Sequence, residues 1–386
     1  MKPITALAVA SLVLASCDES STEMVNGPPV PTRVHAVLSV SDAEIAMHGL
    51  NNPRGLAFGP NGALYVAEAG RGGTGPCLVN AQQVCYGPTG AVGRLYKGKQ
   101  DTVVTGLPSY ANAAGRAEGP NAIAFLGNGG AYISVGLETD PNLRSAAPEF
   151  AGFARLVHVA PTAFVSGKGD PQSQRRWDFV ADIGTYEIDS NPDCGRIDSN
   201  PFDVLATPGG VLVVDAGGNS IVRRDANGEL STFVAFSSRY TTPQGPHCPV
   251  IPVNTSPSET VPTSIVKGPD GAYYVGQLAG FPLVVGAAKV YRVVPGSAPT
   301  VFLSGFTFII ALAFDAHDNL YVLQHTDGPS GAAAGSLIRV TPEGVRTTVV
   351  NGLIRPTGLA IGADGAIYIS HRGISIAAGE VLRFRL

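Results

Sequence analysis

The stretch PRGLAFGPNGALYV, residues 53–66, contains the pattern from which the architecture of this chain follows. Two short, alternating runs rich in β-branched and aromatic residues flank a Gly-Pro-Asn-Gly turn. Such runs around a glycine-containing turn are typical of a β-hairpin. The phrase begins again at residues 120, 201, 262, 311 and 356. We therefore interpret each of the six copies as the inner hairpin of one repeated β unit.

Further strand patterns follow most hairpins, as at residues 91–96 and 101–105 after the first copy. Repeated four-stranded units predict an all-β fold, namely a six-bladed β-propeller of four-stranded antiparallel blades. A closed ring also removes the unpaired sheet edges that an open array would expose.

The last copy of the repeat lacks a fourth strand, and the N-terminal end of the repeat region contains one. Residues 379–385 are predicted to form a third strand of the last copy, which lacks a fourth. Residues 44–50, EIAMHGL, align with residues 347–353, TTVVNGL, the fourth strand of the fifth copy. We therefore expect the N-terminal segment to pair with the last blade as a latch strand that closes the ring.

The first residues resemble an export signal. Lys2 precedes an apolar run, residues 4–14, that is shorter than the roughly 20 residues needed to span a bilayer. Residues 14–17, LASC, resemble a bacterial lipobox, which implies cleavage before Cys17 and acylation of its thiol. Ordinary secretion with an incidental cysteine is the alternative.

These features divide the chain into three segments. We expect a lipoprotein signal peptide over residues 1–16, a lipid-anchored tether over residues 17–42 and the propeller over residues 43–386. The tether is polar and then proline-rich, a composition typical of spacers. The protein is thus expected to be anchored to a bacterial membrane through its N-terminal lipid, facing the periplasm or the cell exterior.

Composition excludes two other classes. The 386 residues carry 26 basic and 30 acidic side chains, a formal net charge of −4. Binding of nucleic acid needs a concentrated basic surface, so nucleic acid is not an expected partner. A hydrophobic fraction of 44% excludes a disordered chain.

We expect the protein to be a monomer.

Four cysteines remain after Cys17, and an even number in an exported chain suggests disulfide bonds. Of the three possible pairings we favour Cys77–Cys85, which closes a short loop, together with Cys194–Cys248. Zinc is the competing interpretation, but the spacing of cysteines and histidines lacks the usual zinc patterns.

Several phrases resemble the ScyD/ScyE family, and the resemblance covers roughly residues 49–386. The matching phrases are NPRGLAF at 52–58, DAGGN at 215–219, GQLAGFP at 276–282 and GFT at 305–307. The resemblance implies a six-bladed propeller related to the NHL and gluconolactonase types. That family is associated with the gene cluster for the indolic sunscreen scytonemin, which implies a role in pigment maturation on the export side.

The long loops are predicted to lie on one face of the ring. Turns within the hairpins are short, whereas loops such as residues 69–90 and 237–261 connect second to third strands or successive blades. Loops on a rigid scaffold commonly carry function. We therefore expect this long-loop face to be the working face.

A polar collar is predicted around the channel on the same face. The second strands end at Glu68, Val135, Asp215, Gln277, Gln324 and His371, and the first strands start at Arg54, Asn121, Phe202, Thr263, Ile310 and Thr357. We take their polar members, together with Asn219, as candidate ligand-binding residues. Glu68 and Asp215 are candidate ligands for Ca²⁺ or another divalent ion, and Glu68 or His371 is a candidate base. A hydrated channel lining is the simpler interpretation.

Two classes of function are compatible with this pattern. The first is a binding module that holds a small molecule, a glycan or a protein on the long-loop face. The second is an enzyme at the channel mouth, either a metal-dependent, lactonase-like hydrolase or a quinone-dependent sugar dehydrogenase. Lactonases of this architecture place Glu, Asn and Asp at the starts of first strands, whereas here only Asn121 matches.

Overall fold

Six antiparallel sheets make up the described part of the chain. In this computed structural model it comprises residues 36–79, 83–127, 129–165, 177–236, 259–280, 283–329 and 333–386. The sheets are the blades of a six-bladed β-propeller, which confirms the predicted fold. The described residues do not include the predicted signal peptide, Cys17 or most of the predicted tether. The cleavage site, the acylation of Cys17 and the tether therefore remain predictions.

The first three blades contain the following strands. Blade 1 has β2 (Pro53–Phe58), β3 (Leu64–Glu68), β5 (Gln83–Tyr96) and β6 (Lys99–Asn112), with β4 (Cys77–Val79) and β7 (Ala117–Glu118) added at its side. Blade 2 has β8 (Pro120–Phe125), β9 (Ala131–Val135), β10 (Arg155–Val159) and β11 (Trp177–Asp182). Blade 3 has β12 (Pro201–Thr207), β13 (Gly210–Asp215), β14 (Ser220–Arg224) and β15 (Leu230–Ala235).

The other three blades repeat this order, except that the last one takes its outer strand from the N-terminal segment. Blade 4 has β16 (Pro262–Lys267), β17 (Tyr273–Gln277), β18 (Ala288–Val293) and β19 (Thr300–Phe306). Blade 5 has β20 (Ile309–Phe314), β21 (Leu320–Gln324), β22 (Gly335–Val340) and β23 (Arg346–Leu353). Blade 6 has β24 (Gly358–Ile361), β25 (Ile367–His371), β26 (Gly379–Phe384) and β1 (Glu44–Leu50).

Helical turns occupy several of the long loops. The α-helices are α1 (Thr162–Val165) and α2 (Ile183–Ser190), and short 3₁₀ segments span Val40–Asp42, Pro141–Ala146 and Pro148–Gly152. α2 begins where the Asp182 side chain accepts a hydrogen bond from the Thr185 N–H. Among the described residues, no helix is long and apolar enough to cross a membrane.

The first strands close into a ring around a central channel. Each one contacts the first strand of both neighbouring blades, in the order β2, β8, β12, β16, β20, β24 and back to β2. They line a cavity of about 280 Å³. Between blades the faces are apolar; for example, the rings of Tyr65, Phe125 and Phe164 pack with centroids 4.7–5.2 Å apart.

The N-terminal segment joins the last blade. β1 pairs antiparallel with β26, with Glu44 opposite Arg383 and Leu50 opposite Gly379. Met47 is fully buried and packs in one cluster with Leu64 of blade 1. The strand pairing expected from the sequence is therefore present, and its role in holding the ring closed remains a prediction.

One predicted disulfide is confirmed. Cys77 and Cys85 are bonded and face each other across β4 and β5. Cys248, the predicted partner of Cys194, lies outside the described residues, so the second bridge remains a prediction.

If β1 closes the ring, Met47→Ala should lower the free energy of unfolding by about 2–5 kcal/mol, because it opens a cavity at the junction of blades 1 and 6. Ile45 on the same strand is 55% exposed, so Ile45→Ala is the matched control and should change stability by less than about 1 kcal/mol. Urea unfolding followed by circular dichroism measures both. Equal effects of the two substitutions would contradict the closing role.

Candidate functional site

One hydrogen bond recurs in every blade, on the long-loop face. The backbone N–H of the residue after the second strand donates to a carbonyl just before the inner strand, at 2.8–3.0 Å. The donor and acceptor pairs are Ala69–Asn52, Gly136–Gly119, Ala216–Asn200, Leu278–Val261, His325–Phe308 and Arg372–Ile354. These bonds fix the strand ends around the entrance to the central channel. We call the entrance that the six pairs surround the channel mouth.

The backbone at the channel mouth is strained in four blades. The φ angle is 51° at Asn52, 47° at Val261, 45° at Phe308 and 47° at Arg355. Each residue immediately precedes an inner strand or its opening proline. Residues with bulky side chains rarely adopt this left-handed conformation, which costs about 1–3 kcal/mol per residue. Packing around the mouth therefore imposes a conformation that these residues do not favour by themselves.

The position after the second strand borders the next blade in blades 2 and 4. Leu278 packs against the cluster that contains Ile310 of blade 5, and a Cβ atom on Gly136 would lie 2.5 Å from Asn200 Oδ1 of blade 3. Four of the six residues at this position are small or apolar: Ala69, Gly136, Ala216 and Leu278. His325 and Arg372 depart from that pattern. Arg372 turns to Glu380, with 3.8 Å between Nε and Oε2.

The imidazole of His325 is held in one orientation. Its Nδ1 atom lies 2.8 Å from the carbonyl oxygen of Pro356, at the start of blade 6. Because a carbonyl oxygen only accepts, Nδ1 carries the proton and Nε2 presents its lone pair. Nε2 has no hydrogen-bond partner among the described residues. His325 thus offers an oriented, unused basic nitrogen.

Burial lowers the pKa of His325 to about 4. The positive charges of Arg355, Arg54 and Arg116 lower it further, while the bond to Pro356 opposes the shift. At neutral pH the ring is therefore uncharged, although three guanidinium groups lie near enough to act on it.

The three arginines differ in how they are held. Arg54 is buried and donates from Nη1 to Gly373 O and from Nη2 to Ala117 O, both at 2.7 Å. Arg116 is half-exposed and forms an ion pair with Glu138. The guanidinium of Arg355 has no ion pair or side-chain hydrogen bond within the part of the chain that the structure describes. Arg355 is therefore the cation left available at the channel mouth.

A buried carboxyl group lies beside Arg54. Glu118 Oε1 is 3.6 Å from Arg54 Nη2, and Glu118 is only 5% exposed. Burial, helped by the negative charge of Glu138, raises the pKa of Glu118 to about 7 against the opposing charges of Arg54 and Arg116. Its Oε2 atom is buried without a partner among the described residues. The positive charge of the arginines is thus only partly neutralised near pH 7.

Asn121 completes this side of the channel mouth. Its Nδ2 donates to Pro201 O at 3.2 Å and to Asn200 Oδ1 at 3.4 Å, which links blades 2 and 3. The contact depends on Gly136, since a Cβ atom there would lie 2.3 Å from Asn121 Nδ2. Three polar groups from Glu118, Asn121 and Asn200 therefore converge where a larger residue would not fit.

The polar residues at the ends of the second strands form hydrogen bonds to their own blades or to the linkers that enter them. Asp215 accepts hydrogen bonds from Ser199, Asn200 and Gly218, and burial raises its pKa to about 6. The other four pairs are Glu68 with Asn51 N–H at 2.8 Å, Gln277 with Tyr291 at 3.4 Å, Gln324 with Ser336 at 3.1 Å, and His371 Nδ1 with Glu380 at 3.1 Å. All five side chains therefore already have hydrogen-bond partners among the described residues, and their role in binding a ligand remains a prediction.

Three other candidates join blades. The Thr263 hydroxyl donates to Ile309 O and the Thr357 hydroxyl to Pro53 O, both at 2.6 Å. Asn219 receives a hydrogen bond from the N–H of Val261 at 2.8 Å. Their buried polar groups are satisfied by neighbouring blades, which gives them a structural role at the mouth.

The described ranges contain no cluster of carboxylates for the divalent ion that the sequence analysis predicts. No three His, Cys, Asp or Glu side chains there are arranged to hold a metal ion. The two predicted ligands, Glu68 and Asp215, belong to different blades, and both oxygens of Asp215 already accept hydrogen bonds.

Sequence reasoning missed His325, Arg355 and Glu118. It compared the last residue of each second strand, Gln324 in blade 5, whereas the informative position is the next one. Comparing the six residues at that next position would have separated His325 from its small or apolar counterparts.

Comparison with known proteins supports the fold and does not identify a family. No protein-family model and no curated protein matches the chain. A solved structure of the PQQ-bound aldose sugar dehydrogenase of Streptomyces coelicolor is similar, with a TM-score of 0.53 at 12% identity over 88% of this chain and 96% of that one. The apo-form of the soluble aldose sugar dehydrogenase of Escherichia coli gives 0.52 at 13% identity over 88% and 98%. At this identity the likeness shows the propeller fold alone.

The neutral state of His325 can be tested by carbethoxylation, which requires an unprotonated imidazole nitrogen. At pH 5 a histidine with the ordinary pKa of about 6.5 is roughly 3% neutral, whereas a pKa of about 4 leaves about 90% neutral. Diethyl pyrocarbonate should therefore modify His325 at pH 5 nearly as fast as at pH 7, as measured by peptide mass spectrometry. N-acetylhistidine is the reference and should slow markedly; a parallel slowing of His325 would refute the assignment.

The lowered pKa of His325 also predicts how the stability of the protein depends on pH. Because the folded-state pKa of His325 lies below the unfolded value, its contribution to stability is present above pH 6.5 and is lost as the pH falls towards 4.

Gly136→Ala should destabilise the protein by about 1–3 kcal/mol, because the added methyl group collides with Asn121 and Asn200. Gly127→Ala is the matched control, since nothing lies within 4 Å of a Cβ atom there. Urea unfolding of both variants gives the comparison. Equal stability of the two would show that the convergence at Gly136 is not a packing constraint.

Proposed function

We propose that this protein is an exported, lipid-anchored β-propeller that binds a small organic anion at the channel mouth on its long-loop face. The observation that carries the proposal is the oriented, neutral imidazole of His325, on which the positive charges of Arg355, Arg54 and Arg116 act, with Arg355 unpaired among the described residues.

Charge favours an anion over a cation at this position. Arg54, Arg116 and Arg355 supply three positive charges, which Glu138 and the partly ionised Glu118 offset incompletely. Guanidinium groups bind carboxylates and phosphates through paired hydrogen bonds. His325 adds a neutral nitrogen that can accept a hydrogen bond from a hydroxyl or an N–H of the same ligand.

The location and family of the protein remain part of the proposal. The lipobox LASC at residues 14–17 supports export and acylation at Cys17. The phrases at 52–58, 215–219, 276–282 and 305–307 support a relationship to the ScyD/ScyE family. Binding of a glycan or a protein on the same loops is the competing interpretation.

Isothermal titration of the purified full chain with citrate, benzoate, gluconate and pyrroloquinoline quinone tests the proposal. At least one of these anions should bind, more tightly at low than at high salt. Arg355→Gln should weaken that binding about tenfold or more, because it removes a charged hydrogen-bond donor.

Arg385→Gln is the control, since it makes the same change of charge at an exposed position. It should leave the affinity within about twofold, because an exposed charge outside the mouth is screened. The proposal fails if none of the four anions binds, or if the two variants lose affinity equally.

A further inference from the structure

We propose that His325 is a general base that activates water for the hydrolysis of a small ester carrying an anionic group. This inference rests on the proposed function, because the anionic group would be held at the same channel mouth. It adds a reaction and a substrate class to that binding site.

The first argument is the orientation of the imidazole. A general base needs a free lone pair and a second group that fixes its tautomer. Pro356 O fixes the proton on Nδ1 at 2.8 Å, and Nε2 is left without a partner among the described residues. The arrangement has the logic of a catalytic triad, in which a backbone carbonyl replaces the acidic member.

The second argument is the positive charge around the ring. Hydrolysis of an ester passes through a tetrahedral oxyanion, which is stabilised by donors held in place before the reaction. Arg355 supplies a guanidinium that has no partner among the described residues. Arg54 is locked by Gly373 O and Ala117 O, and its Nε–H is buried without a partner among the described residues. The channel mouth thus combines a base with rigid positive charge.

The third argument is position. The counterparts of His325 in four other blades are small or apolar, and all six make the same backbone hydrogen bond. That bond needs no imidazole, and the fold accommodates a glycine, an alanine or a leucine at this place. The shared backbone hydrogen bond therefore does not explain the histidine.

The proposed step is balanced by water alone. Nε2 of His325 takes a proton from water as the water oxygen bonds to the acyl carbon, and the charge moves to the carbonyl oxygen near Arg355. The carbonyl then re-forms, the acyl carbon–oxygen bond breaks, and the leaving oxygen takes the proton from the imidazolium. The products are a carboxylic acid and an alcohol, and His325 returns to its starting state.

Hydrolysis of mono(4-nitrophenyl) glutarate, an anionic ester, tests the inference against neutral 4-nitrophenyl acetate. The full chain should favour the anionic ester in kcat/KM by at least about tenfold. His325→Gln should lower kcat for the anionic ester by about 10²–10⁴-fold. His317→Gln, at an exposed turn of blade 5, is the matched control and should retain wild-type rates.

The pH profile provides a readout that a structural role for His325 would not produce. The kcat at saturating substrate should stay level from pH 7 to pH 5 and fall to half near pH 4, where the imidazole becomes protonated. We use kcat because Glu118, with a pKa of about 7, changes the charge that acts on substrate binding over the same range. This measurement needs no variant, so it remains decisive if His325→Gln fails to fold. A fall to half near pH 6.5 would assign the activity to an ordinary histidine and overturn the inference.

The outcomes separate the inference from the proposed function. Anion binding that depends on Arg355, without hydrolysis that depends on His325, refutes the catalytic step and leaves the binding function standing. Loss of both binding and hydrolysis specificity refutes both. Equal rates for the anionic and neutral esters would show that hydrolysis does not use the arginines at the channel mouth.

Discussion

The hydrogen bond from the residue after each second strand to the carbonyl before each inner strand is the constraint on which the site depends. It repeats in all six blades at 2.8–3.0 Å and fixes the strand ends around the channel. The backbone hydrogen bond forms with an alanine or glycine at the donor position in three blades and with a leucine in a fourth, although in blade 2 Asn121 and Asn200 leave room for glycine alone. Where the neighbouring blade leaves room, as in blade 5, a polar side chain such as His325 occupies this position.

The chemistry of the channel mouth follows from partial burial. Moving His325 out of water favours its neutral form, and the neighbouring arginines act in the same direction. Glu118 responds in the opposite way, since burial also favours its neutral, protonated form. Relative to free side chains, the pKa of His325 is lowered and that of Glu118 is raised. Opposite shifts of neighbouring groups are typical of functional sites. Arg355 remains as a cation without a partner in the described chain.

The fold could be predicted from the sequence because the inner hairpin recurs six times with similar turn residues between its strands. The pairing of residues 44–50 with the last blade followed from their likeness to residues 347–353. The site could not be predicted equally well, because adjacent residues on a strand point to opposite sides. An alignment that is one residue off, at Gln324 or His371, selects side chains that are already hydrogen-bonded to residues near their own strand ends. Burial, which sets the charge of His325, also cannot be read from residue type.

The most direct test of this account is the tautomer of His325 at neutral pH, measured by ¹H–¹⁵N correlation spectroscopy of histidine-labelled full chain. The signal is assigned by its disappearance in His325→Gln. The account predicts a neutral ring with the proton on Nδ1 and an unprotonated Nε2. A doubly protonated imidazolium, or a proton on Nε2, would contradict the orientation by Pro356 and with it the role of the channel mouth.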